Sequence, residues 1–384
     1  MTVRFLMSNN RPSSITRIVA DTANVFTRQG VTAVVHYPAV DWWDYRVFTL
    51  SRLGLRKKLL SWIRLLLELV AGWVARPAWC GFRLHPVDSR VQAVLYGVSP
   101  SARDWKEGDV ALVHPPYLLP GLLKTLPNDR IKVVTALHVN LEKALQSPVP
   151  ETAAWYAHWV AFNRLLSIPT IVTSRETEEG ARRLGIRVDK LIYGGIDLGF
   201  FHPPETPRSG KPLTVTLYCD SNPQKGRELG VAAIRALKKR FPEVRMGSLG
   251  NVTPDQAKEF DHNHGYLHGE EYARVLRESD IFVYPSLYDG FPAPPLQAMA
   301  CGAAVVTTAV EGVSAYAAHE ENALVCPPGE GEALQNNLIR LLTDAGLRQK
   351  LAGNGPVMAR RHSVEQSAEE LLEFLKKVGA EKGL

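Results

Sequence analysis

The sequence predicts an α/β chain made of two Rossmann-like, parallel-sheet lobes. Three observations carry this. Short runs rich in Val, Ile and Leu alternate with helix-like segments along the whole chain, as expected for strands covered on both faces. A Pro-rich stretch from His202 to Pro212 interrupts the alternation, after which a second α/β run begins. The 384 residues, 45 % of them hydrophobic, exceed one ordinary domain and are too apolar for a disordered chain.

The first lobe, residues 1–200, takes its strands from Val3–Met7, Val31–Val35, Val91–Leu95, Val110–Val113, Lys132–Leu137 and Thr170–Thr173. Helices over Ile15–Arg28, Ala153–Leu166 and Glu176–Leu184 fall between them. Pro203, Pro204, Pro207 and Pro212 remove backbone donors, so residues 201–212 read as a linker. The second lobe, residues 213–362, has strands Leu213–Cys219, Val244–Leu249, Ile281–Pro285, Ala304–Thr308 and Ala323–Val325. Its helices are Gly230–Arg240, Glu270–Glu278, Pro295–Ala300 and Glu332–Leu342, and a closing helix over Ser363–Val378 occupies the last segment, 363–384. Open α/β sheets bind ligands beyond the carboxyl ends of their strands, so the cleft between two facing lobes is the default site.

Composition narrows the function classes. Four separated cysteines (Cys80, Cys219, Cys301, Cys326) make neither a disulfide scaffold nor a zinc knuckle, and fit a reducing compartment. The formal net charge is +6. Residues 46–83 hold eight cations and one acid, Glu68, which is +7 and leaves −1 for the rest of the chain. A basic excess confined to one segment argues against nucleic acid as a partner. That segment also carries Trp62, Trp73 and a leucine-rich run broken by Arg64 and Glu68, too short and too charged to span a bilayer. The sharper reading is an amphipathic helix lying on an anionic membrane, with Arg56, Lys57, Lys58, Trp62 and Arg64 in contact. The blander one is a core helix with solvated cationic ends. The apolar run Met1–Met7 is short for a signal peptide, so the expected place is the cytoplasm, peripheral at the inner face of the cell membrane.

The most informative window runs Tyr284-Pro285-Ser286-Leu287-Tyr288-Asp289-Gly290-Phe291-Pro292-Ala293-Pro294-Pro295-Leu296-Gln297-Ala298-Met299-Ala300-Cys301-Gly302. A buried strand ends at Pro285, a polar turn holds Asp289 and Gly290, and a short helix starts at the prolines and stops at Gly302. Amides at a helix N-terminus bind phosphate, here near Ala293, Leu296 and Gln297. The window resembles the signature of glycosyltransferase family 4, retaining enzymes of the GT-B fold. Other segments agree: Lys225-Gly226 after a strand, Gly195-Ile196-Asp197 with Phe201, His264-Gly265, and Glu311 through Pro328.

The resemblance implies two lobes facing each other across a cleft, the second holding a nucleotide-diphosphate sugar as substrate and the first docking the acceptor. Transfer proceeds with retention, without a cofactor and usually without a metal; the chain shows no D-x-D pair in a plausible loop. Lys225, with Arg227 or Arg175 assisting, then neutralises the diphosphate. Asp289 orients donor hydroxyls, and Gln297 binds the ribose. Gly290, Phe291 and Gly265 line the donor pocket. His138, at a strand end, contacts donor sugar or lines the acceptor site, or is simply a satisfied polar residue. On the acceptor side stand His114, a candidate base that retaining transfer does not demand, and Trp42 and Trp43, which form an acceptor wall or, as is commoner for tryptophan, lie buried.

Several positions depart from the family pattern. The first carboxylate is Asp289 rather than Glu, and the second is the uncharged Gln297. Pro292 stands where glycine is usual, and Gly194 where asparagine is usual. The arginine expected before Lys225 is absent, with Cys219-Asp220-Ser221 in that turn. The first loop, Asn9 to Ser14, has no glycine. Two readings follow. One is a retaining hexosyl- or deoxyhexosyl-transferase with a rebuilt pocket, acting on a surface-glycan or lipid-linked acceptor. The other is a catalytically weak or inactive GT-B protein that binds a glycan or a partner.

Overall fold

The computed structural model describes residues 1–6, 14–38, 92–96, 105–113, 131–138, 140–146, 150–206 and 212–380. The basic segment 46–83 with Arg56, Lys57, Lys58, Trp62 and Arg64, the pair Trp42 and Trp43, His114 and most of the glycine-free loop lie outside the described residues.

The chain forms two compact units. The first comprises residues 1–173, 177–192 and 367–384, the second residues 174–176 and 193–366. The first unit is built on β1 (Thr2–Leu6), β2 (Thr32–Pro38), β3 (Gln92–Tyr96), β4 (Val110–Val113), β5 (Lys132–Leu137), β6 (Thr170–Val172) and β7 (Lys190–Leu191). All pair in parallel, in the order β3-β2-β1-β4-β5-β6-β7. Its helices are α1 (Ser14–Arg28), α2 (Leu141–Leu145), α3 (Pro150–Leu166) and α4 (Arg175–Arg183), the last beginning in residues assigned to the second unit. Leu137, Leu141, Trp159 and Val172 meet in one core beside the sheet. The two-residue β7 and one-turn α2 were not expected, because elements this short show no periodicity. Asn140 fixes the start of α2 by accepting the Lys143 N–H at 3.2 Å.

The second unit has β8 (Thr214–Cys219), β9 (Arg245–Gly250), β10 (His262–Asn263), β11 (Ile281–Tyr284), β12 (Ala304–Thr308) and β13 (Leu324–Cys326), parallel in the order β10-β9-β8-β11-β12-β13. Helices α5 (Arg227–Arg240), α6 (Pro254–Ala257), α7 (Gly269–Glu278), α8 (Ala293–Ala300), α9 (Gly331–Thr343) and α10 (Ala345–Ala359) complete it, followed by α11 (Val364–Ala380). Two cores flank the sheet, one around Leu296, Met299 and Tyr316, the other around Leu217, Ile234 and Leu338. Helix α10 was missed because Gly346, Gly353, Gly355 and Pro356 disguise it. Gly355 has a packing reason: a Cβ there would stand 3.0 Å from the Met299 carbonyl, so α8 and α10 touch through a glycine.

The expected linker at 201–212 meets a different grouping. Residues 193–206 sort with the second unit, because Ile196 exchanges backbone bonds of 2.9 Å with His362 and Val364 and because Phe201 is buried in that unit's core. A Cβ at Gly195 would fall 2.5 Å from the Ser363 carbonyl, which explains a glycine at this crossing. Among the described residues, no helix is long and apolar enough to cross a membrane.

Candidate functional site

In the second unit the sheet order reverses between β8 and β11, which pair directly through Val215↔Ile281, Thr216↔Phe282 and Leu217↔Val283. Their carboxyl ends therefore emerge side by side, the position where open α/β sheets place ligands. Lys225 follows β8 and Asp289 follows β11.

The loop after β8 is ordered by its own polar side chains. Asp220 accepts the Asn222 N–H at 2.8 Å, and Asn222 accepts the Gln224 N–H at 3.0 Å. A single turn, Pro223–Lys225, ends in the left-handed region at Gly226, φ +67°, from which α5 starts. Only glycine fits, since a Cβ on residue 226 would lie 1.9 Å from the Pro285 carbonyl oxygen. The Leu287 N–H and the Ser286 hydroxyl both donate to the Gln224 carbonyl, at 2.7 and 3.1 Å, and fasten the two loops.

This fastening sets the charges. Lys225 Nζ donates to Asp289 Oδ2 at 2.5 Å, and the Tyr284 hydroxyl donates to the same oxygen at 2.5 Å. Both ends of the ion pair are partly open, at 22 % and 17 % exposure, whereas Tyr284 is buried. Burial, and then the nearby Asp289 charge, holds the Tyr284 hydroxyl well above the usual phenol range, so it stays a donor. The Tyr218 ring supports Tyr284 at 5.3 Å between centroids.

The next residues are held from below. Gly290 accepts the Gly312 N–H at 2.8 Å, and a Cβ on Gly312 would come within 2.3 Å of that carbonyl. Phe291 packs among Tyr193, Tyr316 and His362, and its ring occupies the space a Cβ at Gly194 would need, 2.9 Å from Cδ1. The side chain at 291 is thus scaffold. Pro292 accepts the Tyr316 hydroxyl at 2.7 Å. Gln297 is buried and accepts the Tyr272 hydroxyl at 3.0 Å.

Several residues expected at the donor pocket are engaged within the protein. The start of α8 supplies fewer amides than a usual helix end, because Pro294 and Pro295 have none and helical geometry turns the Leu296 N–H towards the Pro292 carbonyl. The Ala293 amide remains in the first three positions. The Leu296 side chain is wholly buried in the core. Arg227 lies against Glu228 at 3.3 Å, so its charge is partly met at home. Arg175, expected to reach in from the other lobe, belongs by packing to the second unit, at the first residue of α4. Gly265 sits at φ +66°, and its carbonyl accepts the Gly250 N–H at 2.7 Å. Asp220, where the family has a cation, is engaged by the Asn222 amide and by the Tyr266 hydroxyl at 3.3 Å. His138 stands half-buried just past β5 in the first unit.

Sequence reasoning gave no role to Tyr284 or Gly312, although both lie in the motif segments, and did not single out Tyr272. The one available signal was a polar-tipped aromatic closing the apolar strand Ile281–Tyr284. Among the described residues, no group of three His, Cys, Asp or Glu side chains is placed to hold a metal ion.

Residues 214–344, which run from β8 through α9 and hold Lys225, Asp289 and Gln297, match the family described as Glycosyl transferases group 1. The matched residues are about a third of the chain, all within the second unit, which is similar there to the group 1 glycosyltransferases. It is 34 % identical over 224 residues to the D-inositol 3-phosphate glycosyltransferase of Stackebrandtia nassauensis, covering 53 % of this chain and 45 % of that protein. It is 29 % identical over 112 residues to the O-antigen chain mannosyltransferase B of Escherichia coli, 29 % of each chain. The chain thus spans less than half the length of these two curated relatives. In structure it resembles HepE of Anabaena, solved in complex with UDP, with a TM-score of 0.70 and 16 % identity over 98 % of this chain and 100 % of that one. That likeness shows the GT-B fold of this chain, with its two Rossmann-like units.

Proposed function

We propose that the protein is a retaining, metal-independent glycosyltransferase that moves a hexosyl or deoxyhexosyl group from a nucleotide-diphosphate sugar to a surface-glycan or lipid-linked acceptor. The observation that carries this reading is the meeting of Lys225 and Asp289 at the switch point, each held by a glycine-dependent loop contact. In the reaction the bond from the sugar's anomeric carbon to the diphosphate breaks. The acceptor oxygen bonds to the same face, and its proton leaves. Negative charge grows on the departing diphosphate, and a fixed cation in a partly dry site offsets it. An ammonium has three donors, so Lys225 can keep Asp289 and still bind a phosphate oxygen. Asp289, held by Tyr284, orients sugar hydroxyls, and the Ala293 amide adds a phosphate contact. Gln297, with its oxygen given to Tyr272, presents its amide N–H groups to the ribose.

One relative supports the surface-glycan acceptor, being named as an O-antigen chain mannosyltransferase, whereas another, named for D-inositol 3-phosphate, favours a small acceptor. HepE, with the same fold, binds UDP. The membrane part of the proposal rests on the basic Arg46–Arg83 segment, which would hold the enzyme at anionic lipid on the cytoplasmic face. A non-catalytic glycan- or partner-binding role is the second reading, favoured by Asp220 at a cation's position and by the amide-poor start of α8.

Calorimetry of the full chain with UDP, GDP and dTDP separates the two. Binding of one of them that is lost in Lys225→Met supports the enzyme reading. A folded protein that binds none of them refutes it. Flotation on anionic vesicles with Arg56, Lys57 and Lys58 reversed to Glu tests the basic segment, and unchanged flotation removes its role.

A further inference from the structure

We infer that the first unit carries a second membrane contact, an arginine pocket beside an exposed leucine pair that seats the phosphate groups of an anionic lipid surface. It deepens the membrane part of the proposal but uses residues far along the chain from the basic segment 46–83.

Helix α3 ends at Leu166, and Ser167 turns the chain with φ +49°. Here Asn163, Arg164 and Ser167 join Arg182, Ile186 and Arg187 around an open pocket of about 350 Å³. Three arginines thus line one concavity, against two carboxylates. Arg182 pairs with Glu178 at 2.9 Å, and Arg187 Nε with Asp189 at 2.7 Å. Arg164 donates from Nε to the Leu184 carbonyl at 2.5 Å and has no carboxylate within ion-pair distance among the described residues. Its guanidinium lies over Gly185, where a Cβ would come within 3.3 Å of Nε. Gly185 itself sits at φ +70°, so the space is kept by a residue the backbone already requires. Asn163, wholly buried, spends its amide N–H groups on Ile168 and Thr170, while its Oδ1 has no hydrogen-bond partner.

An uncompensated guanidinium with two more beside it favours a phosphate oxygen, which it binds through paired N–H donors. The neighbouring side chains identify the source. Leu165 is 79 % exposed and Leu166 41 %, and they lie in the chain between the lining residues Arg164 and Ser167. They are the one adjacent pair of large exposed apolar residues among the described residues. A free anion accounts for the arginines and leaves the leucines in water. A lipid surface accounts for both, with cations at headgroup level and leucines in the acyl boundary.

The test is flotation of the full chain on phosphatidylcholine vesicles with and without phosphatidylglycerol, comparing the parent with Arg164→Ala and Leu165→Ser. Both side chains are exposed, and thermal melts check that both variants fold. Each is expected to lower partition onto the anionic vesicles, about fivefold for Arg164→Ala, since a cation at such a surface contributes about 1 kcal/mol. Nucleotide binding by calorimetry should not move in either variant, which separates this inference from the donor-site proposal. Reversal of residues 56–58, tested in parallel, separates it from the role of the basic segment. Variants that float like the parent overturn it. So does a parent that ignores anionic vesicles yet gains thermal stability from inorganic phosphate through Arg164, which would make the pocket a soluble-anion site.

Discussion

Tyr284→Phe removes one hydroxyl and leaves the rest of a buried ring in place. The ring keeps its core position and its contact with Tyr218. What disappears is the 2.5 Å bond to Asp289 Oδ2, an oxygen that also carries Lys225. A hydrogen bond to a charged acceptor contributes about 1.5–3 kcal/mol, so the second unit should lose about 2 kcal/mol. For a unit of this size each kcal/mol lowers the melting temperature by about 2–4 °C, which gives a fall of about 4–8 °C. The loss belongs to the charged bond only if it shrinks when the charge is removed. In an Asp289→Asn background the same substitution should cost about 1 kcal/mol less, because a neutral acceptor contributes about 0.5–1.5 kcal/mol. Urea unfolding of the parent, both single variants and the double variant measures this cycle. Additivity within about 0.3–0.5 kcal/mol would refute the idea that Tyr284 acts through the Asp289 carboxylate.

Gly226→Ala forces a Cβ into the left-handed region and onto the Pro285 carbonyl. A loss of about 3 kcal/mol or more is expected in urea unfolding, with nucleotide affinity falling alongside as Lys225 is displaced. His362 lies in the aromatic cluster under Phe291, where burial holds its imidazole below the ordinary range. The unfolded chain therefore takes up a proton before the folded one does. Stability should be full above about pH 6.5 and decline as pH falls below it, a slope that His362→Gln reduces in melts over pH 5 to 8. Burial pushes the Cys219 thiol up to about 12 and the Cys326 thiol up to about 11, and Cys301 is buried too. An aromatic disulfide reagent at pH 8 should find none of these three in the native protein and all four cysteines after guanidinium; labelling of Cys219 in the native state would contradict the packing around β8.

Much of the fold was legible because parallel strands buried on both faces are nearly all apolar. The strands Val110–Val113, Lys132–Leu137 and Ala304–Thr308 coincide with β4, β5 and β12. The elements that escaped were β7, β10, α2 and α6, too short for a period to register, and α10, whose glycines and proline mimic a loop. At the site, the sequence exposed Lys225-Gly226 and Asp289-Gly290 as motif residues. It left Arg227 and Arg175 looking equally available, although Arg227 rests on Glu228 and Arg175 groups with the second unit.

The two parallel-sheet lobes, the glycosyltransferase resemblance of the second, and the residue types at the candidate site are legible in the chain, since each follows from local patterns a few residues long. How those residues are used depends on contacts made in three dimensions. Lys225 and Asp289 are 64 positions apart, and their contact exists because β8 and β11 pair at the sheet's reversal and Gly226 lets one loop lie against Pro285. The buried Arg4–Asp109 pair, 2.7 Å between β1 and the residue just before the neighbouring β4, arises in the same way. A charge in an apolar strand has no visible partner until the sheet order brings the partner beside it, because electrostatic and hydrogen-bond contacts depend on distance in space and leave no period in the chain.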